Sequence, residues 1–207
     1  MIAGEIEGAT RSSVQPGGRP PAPGELALVQ AFVNTHYDLE LEHGAELLAS
    51  PAGLARWLAA RDLIEPSAPP LTDRDLARAV AVREGLRSLA RANSEGETAA
   101  ADAQALAALN DAAIGGAVEL RFDADGPRFV RLQLGGLNAA LGVLLATAAR
   151  AMLDGGWERL KVCPGDDCGW AFYDHSRNRS GRWCSMSVCG GRAKARAHYH
   201  RHRGGER

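Results

Sequence analysis

A chain of 207 residues, 45% apolar and 24% charged, is long enough for one or two domains around a buried core. It has no run of about 18 apolar residues; the best candidate, residues 139–149, is shorter and contains Thr147, so no membrane-spanning helix and no membrane partner are expected. The formal net charge of −1 argues against a polyanion partner only while it is averaged over the whole chain.

Residues 1–24 are rich in Pro, Gly and Ser and offer almost nothing to bury, which predicts a disordered leader. The opening MIAGEIEGAT has neither the basic start nor the apolar stretch of a secretory signal, so a cytoplasmic location is expected. From Glu25 onward Leu26, Val29, Phe32 and Val33 recur at helical spacing. Asn34, Thr35 and His36 then interrupt the apolar run. They read either as a helix end satisfying backbone groups or, with Trp57, as a candidate effector pocket. Glu40, Glu42 and Glu46 look like a solvated face. Ser50-Pro51 is a helix start, with Ser as N-cap and Pro at the first helical position, opening an amphipathic stretch with Leu54, Trp57 and Leu58 on one side.

After Pro66 and Pro69-Pro70, the run Thr72-Asp73-Arg74-Asp75 resembles a capping box. The following helix is expected to bury Leu76, Val80, Leu86 and Leu89. An Ala-rich helix over about 98–113 stops at Gly115-Gly116. The period then changes to two: Val118, Leu120 and Phe122 alternate with polar residues, a turn falls at 123–126, and 129–134 alternate again. That pattern predicts a β-hairpin near 117–134. An apolar helix over about 137–153 ends at Gly155-Gly156. The expected fold class is mainly α with one β-hairpin: a helical domain over 25–156, followed by a small treble-clef-like zinc finger over 157–207.

Charge and cysteines single out that last segment. Residues 1–156 carry 13 Arg and no Lys against 20 acids, whereas 157–207 carry 11 Lys and Arg against 5 acids and hold four of the six histidines. An acidic part joined to a basic part points to nucleic acid or another polyanion. All four cysteines lie in the basic part, spaced Cys163-x4-Cys168-x15-Cys184-x4-Cys189. Two close pairs separated by a longer stretch suit a tetrahedral ion, each pair forming a tight turn and the intervening chain folding back as a hairpin. Pro164, Gly165 and Gly169 supply turn chemistry, and 170–173 can form a strand. Disulfides are disfavoured without an oxidising compartment, and a redox pair without Cys-x-x-Cys. One structural Zn²⁺ is expected, because four thiolates leave no open position for water activation. His175 lies between the pairs at poor ligand spacing, and His198 and His202 share a helix face at chelating distance but read more simply as solvated residues.

Beyond the last cysteine come Arg192, Lys194, Arg196, Arg201 and Arg203, while Arg177, Arg179 and Arg182 precede Cys184. A helix polar nearly all round, anchored at one end by metal, has no stripe to bury; phosphate binding would explain it, so these eight residues are candidate nucleic-acid contacts. The expectation is that Arg192, Lys194, Arg196 and Arg201 share one exposed face. Trp170, Phe172 and Trp183 read as the small core around the metal, and Asp174 could cap the next turn with Ser176 or pair with Arg177 or Arg182.

From Cys163-Pro-Gly-Asp-Asp-Cys168 through Trp183-Cys184 to Cys189-Gly190-Gly191-Arg192, the chain resembles the bacterial CGNR zinc fingers. Phe32-Val33-Asn34-Thr35 and the Trp57-Leu58 helix resemble the ABATE domain that accompanies that finger. The resemblance implies a zinc-containing, DNA-binding regulator of stress-induced transcription, whose partner is double-stranded DNA. Its helical domain would bind a small effector or form a homodimer. The chain departs from the motif at Gly191, where the family has Asn. The competing reading is a protein–protein or RNA adaptor in which the finger is purely structural. No phosphate loop, nucleophile elbow or zinc-protease helix is present, so no enzymatic role is expected.

Overall fold

The computed structural model describes residues 15–36, 46–65, 67–95, 102–115, 118–123, 126–131, 136–166 and 168–203. Six helices and two small hairpins are formed among them: α1 (Leu26–Val33), α2 (Pro51–Ala59), α3 (Asp73–Glu95), α4 (Ala103–Gly115), β1 (Val118–Asp123), β2 (Gly126–Arg131), α5 (Leu137–Leu153), β3 (Leu160–Val162), β4 (Ala171–Tyr173) and α6 (Gly191–Arg203). The fold is mainly helical, as the periodicity predicts.

Local chemistry sets the helix starts. The Ser50 hydroxyl accepts from the Gly53 N–H at 3.1 Å, with Pro51 at the first helical position. At the start of α3, Thr72 N–H donates to the Asp75 carboxylate at 2.9 Å and Asp75 N–H donates to the Thr72 hydroxyl at 3.2 Å, a reciprocal capping box with Asp in place of Glu. Those hydrogen bonds from Thr72 hold the Asp75 carboxyl below its ordinary range. Strands β1 and β2 pair antiparallel from Val118↔Arg131 to Asp123↔Gly126 and lie on α5.

α3 crosses the centre of the helical region and contacts α1, α2, α4, α5 and β3. Its buried apolar face is Ala79, Val82, Leu86 and Ala90, with Leu76 and Leu89 partly buried against it. The expected face was rotated from this one, and Val80 is only half-buried. The reason is that the buried side also holds Arg83 and Arg87, which mask the periodicity. Arg83 donates to the Glu46 carboxylate at 2.7 Å and to the Thr35 hydroxyl at 3.2 Å. Arg87 donates at 2.6 Å to each of the carbonyls of Val33, His36 and Gly169. Burial alone would raise the Glu46 and Glu84 carboxyls, but hydrogen bonds and charge from Arg83, and for Glu84 also from Arg87, hold both below their ordinary range. Glu46 therefore belongs to a partly buried ion-pair network and not to a solvated face; residues 40 and 42 lie outside the described residues.

The stretch expected to be a leader is another correction. Residues 1–14 lie outside the described residues, but from Gln15 onward the chain is packed: Gln15 and Ala22 are buried, and Pro16–Gly18 forms a 3-10 turn. Polar anchors hold it where apolar residues are scarce. Ala22 N–H donates to Gln30 Oε1 at 2.7 Å, and Gln30 Nε2 donates to Gln15 Oε1 at 3.0 Å.

One apolar core runs from Val29, Phe32, Leu54 and Leu58 through Leu86, Leu141 and Leu144 to Trp157, Leu160, Val162, Ala171 and Tyr173. The last four belong to the β3–β4 hairpin, paired antiparallel as Leu160↔Tyr173, Lys161↔Phe172 and Val162↔Ala171. Because side chains alternate along a strand, the opposite face of this hairpin carries Lys161 and Phe172. Phe172 packs with the cysteines. A single small hairpin thus joins the helical core to the cysteine segment.

Candidate metal centre and basic surface

The hairpin loop carries the first cysteine pair. Cys163 N–H donates to the Trp170 carbonyl at 2.9 Å and Cys168 N–H to the Gly165 carbonyl at 3.0 Å, closing a tight turn whose exit, Gly169, has φ +64°. Strands were expected from the chain between the two pairs; instead they flank the first pair. A Cβ at Gly165 would sit 3.2 Å from Cys168 Cβ and 3.6 Å from Cys189 Sγ, so glycine leaves room for the sulfurs. The second pair straddles a π-helical turn, Met186–Gly190, capped by the Ser185 hydroxyl, which accepts from Val188 N–H at 3.3 Å. α6 continues directly from it. Knuckle, hairpin and terminal helix make the treble-clef-like plan expected of the segment.

Cys163, Cys168, Cys184 and Cys189 are all buried, and their sulfurs lie within 4.8 Å of one another. The Cys168–Cys184 and Cys184–Cys189 sulfur separations are both 3.6 Å. A tetrahedron of thiolates about 2.3 Å from zinc has edges of about 3.8 Å, so the donor set fits that ion. Separations of 3.6 Å are far from a disulfide bond, and all four thiols are free. Electrostatics support the same reading. Hydrogen bonds from Cys168 and Cys184 pull the Cys163 thiol down to about 2, while those donors are pushed up by the same contacts and Cys189 is pushed up by burial. The protein alone favours one thiolate; four together require a cation. Trp170 and Phe172 are buried around the sulfurs with Trp183 packed against them, as expected of the core of a finger.

His175 is not in this group; its Nε2 lies 3.1 Å from the Pro21 carbonyl and its ring meets Tyr173 edge-on. His198 is exposed, and the side chain of His202 lies outside the described residues.

Asp174 does not pair with Arg177 or Arg182. Its fully buried carboxylate accepts from Lys161 Nζ at 2.9 Å, from Ser176 Oγ at 2.6 Å and N–H at 3.0 Å, and from Gly181 N–H at 2.7 Å. Burial would raise this carboxyl, but the hydrogen bonds from Ser176, Lys161 and Gly181 outweigh it and hold the group well below the usual range. Lys161 also donates to the Arg179 and Gly181 carbonyls. A Cβ on Gly181 would lie 2.7 Å from Asp174 Oδ1, so the carboxylate is enclosed by backbone. Lys161 and Asp174 thereby shape the loop that carries Arg177, Arg179 and Arg182, and sequence reasoning missed Lys161. A lysine alternating with Leu160 and Val162 on a strand was the available signal.

The basic side chains divide into groups. Arg177, Arg179 and Arg182 are exposed; Arg179 is bonded to Glu158, and Arg182 lies over the Trp183 ring at 5.8 Å. On α6, Arg192 is half-buried, whereas residues 194–199 and Arg201 are exposed. Arg196 pairs with Asp166 at 2.9 Å. The expected single face does not form. At about 100° per residue, Arg192 and Arg196 lie on one side of the helix and Lys194 and Arg201 on the other. The Arg203 side chain lies outside the described residues. Gly191 is helical (φ −64°, ψ −47°), and a Cβ there would rest 3.7 Å from the Met186 carbonyl, so the motif asparagine has room at this position.

The candidate effector residues serve the backbone instead. Asn34 exchanges two hydrogen bonds of 2.8 Å with Ala171 of β4, and Thr35 donates to the Phe32 carbonyl at 2.8 Å. Trp57 packs against Phe32 with the Arg61 guanidinium 4.0 Å above its ring. A cavity of about 450 Å³ lies elsewhere, between α3 and α4, lined by Glu84, Arg87, Arg91, Asp102 and Gln104 among others. No helix among the described residues is long and apolar enough to cross a membrane.

Comparison with family models matches residues 26–155 to ABATE, described as "Putative stress-induced transcription regulator", and residues 159–202 to the CGNR zinc finger. No curated protein matches the chain.

Proposed function

The chain belongs to the ABATE family and carries a CGNR zinc finger, and from that premise we propose that it is a cytoplasmic, DNA-binding transcriptional regulator. The observation that carries this reading is α6: a helix rising from the buried sulfur cluster with Lys194, Arg196 and Arg201 exposed and no apolar face to pack. One Zn²⁺ held by Cys163, Cys168, Cys184 and Cys189 is structural, because four thiolates fill its tetrahedron. It adds a formal −2 to a basic segment and fixes the start of α6. Lys194, Arg201, Arg177 and Arg182 then neutralise phosphates, with Arg196 and Arg192 on the other side of the helix. Arg179 is held at the loop by Glu158. The helical domain serves effector binding or dimerisation, and the charged cavity between α3 and α4 is the place for a small polar effector. Neither family is an enzyme family, and the chain is assigned no catalysis.

The shared β3–β4 hairpin favours a second reading, in which the finger is a structural clip for a protein or RNA adaptor. Gel retardation of genomic DNA fragments by zinc-loaded protein separates the two. Retardation at low salt that is lost in Lys194→Ala/Arg196→Ala/Arg201→Ala supports the regulator. No retardation by the zinc-loaded chain, or equal retardation by the triple variant, refutes it.

A further inference from the structure

Residues 15–22 precede both family domains, yet every anchor they place on the cysteine segment falls next to the sulfur cluster. Gln15 Oε1 accepts from Trp170 Nε1 at 3.0 Å, and Trp170 lies two residues beyond Cys168. Arg19 forks across the second knuckle: Nε donates to the Cys184 carbonyl at 2.8 Å and Nη2 to the Trp183 carbonyl at 3.0 Å. Its guanidinium also sits 5.1 Å over the Phe172 ring. Gly17, at φ +72°, brings the arm so close that a Cβ there would stand 3.0 Å from Ser185 Oγ, the cap of the π-helical turn. The Pro21 carbonyl contacts His175. The arm therefore touches both cysteine turns and ties them together from outside.

We propose that this N-terminal arm is part of the metal centre, with Arg19 as the positioning residue that holds the Cys184 turn and sets a positive charge beside the thiolates. The proposal rests on the reading that zinc fills the four-cysteine site. A tetrathiolate zinc centre is formally −2 and buried, and such a charge needs nearby donors and cations. Arginine suits the task, because its planar fork spans two successive carbonyls while keeping its charge. Partners of this kind tune a metal without touching it, typically by about 10-fold to 100-fold in affinity. The helical domain gains a link to the same centre, since Gln30 donates to both Gln15 and the Ala171 carbonyl.

The test measures zinc content and then the rate of zinc release to a chromogenic chelator in the full-length protein, for wild type, Arg19→Ala, Arg19→Lys, Gly17→Val and a chain lacking residues 1–14. Thiol alkylation and far-UV dichroism are followed in parallel. The expected result is release and alkylation about 10-fold or more faster in Arg19→Ala and Gly17→Val. Arg19→Lys should be intermediate, the chain lacking 1–14 should match wild type, and helix content should not change. Wild-type protein without zinc overturns the zinc reading and this proposal with it. Stoichiometric zinc with equal release rates in wild type and Arg19→Ala overturns the arm alone. Faster release accompanied by loss of helix content in both Arg19→Ala and Arg19→Lys makes Arg19 a general folding residue and also overturns it.

Discussion

The helical region and the cysteine segment bury their interiors by different means. The first closes over aliphatic and aromatic side chains such as Phe32, Leu58, Leu86, Leu141 and Leu144. Each is worth roughly 1.5–3 kcal/mol when removed from water. The second has Trp170 and Phe172 buried beside four sulfurs, with Trp183 partly buried against them, and spends its remaining buried positions on polar groups: Lys161, Asp174 and Ser185. Such an interior is stable only if its charges are matched, by a cation among the thiolates and by Lys161 beside Asp174. The hairpin β3–β4 lets the two interiors coexist, because its alternate faces belong to different cores.

The largest break in this comparison is removal of a ligand. Cys184→Ala should leave no stoichiometric zinc by atomic absorption and cost the finger metal-linked folding energy on the order of 10 kcal/mol. The helix signal of α1–α5 should persist. Next comes the buried ion pair: Asp174→Asn strands Lys161 and should destabilise by about 3–5 kcal/mol in urea unfolding at neutral pH. The pH dependence has a definite sign. The Asp174 carboxyl lies below its unfolded value in the folded chain, so its contribution is complete above the unfolded value and is lost as pH falls toward the folded one. The stability gap between wild type and Asp174→Asn should therefore narrow on acidification through about pH 4 and below; a constant gap contradicts the pairing. Leu141→Ala tests the other interior. It should cost about 2–5 kcal/mol through the cavity left behind, with zinc content unchanged. The smallest effect is a gain: Gly191→Ala, at a helical position with room for a methyl group, should stabilise the finger by up to about 0.5–1 kcal/mol in thermal unfolding.

The parts of this architecture written in neighbouring residues could be read directly from the sequence. Ser50-Pro51 and the Thr72/Asp75 box start helices through contacts three residues apart, and the cysteine spacing declares its metal site. The alternation around 118–131 marks a hairpin for the same reason. What escaped were polar residues satisfied from far away. Asn34 looks like a helix end until Ala171, 137 residues on, supplies its partner. Arg83 and Arg87 look like surface charges, yet their guanidinium groups bind Glu46 and the backbone carbonyls of two loops. Residues 15–24 look like leader by composition, because their anchoring uses single hydrogen bonds to the finger and not apolar periodicity. The basic residues of α6 were recognised by count, but their division between two sides follows from helical geometry that a count ignores.

The central claim is that a metal-fixed basic helix binds duplex DNA through its phosphates. Fluorescence anisotropy with a labelled random duplex, titrated with zinc-loaded protein across a salt series, tests it most directly. The account predicts that log K falls linearly with log salt, losing about 0.9 per neutralised phosphate, and that Lys194→Ala/Arg201→Ala flattens the slope by about two such contacts. Affinity indifferent to salt, or an unchanged slope in the double variant, would contradict it.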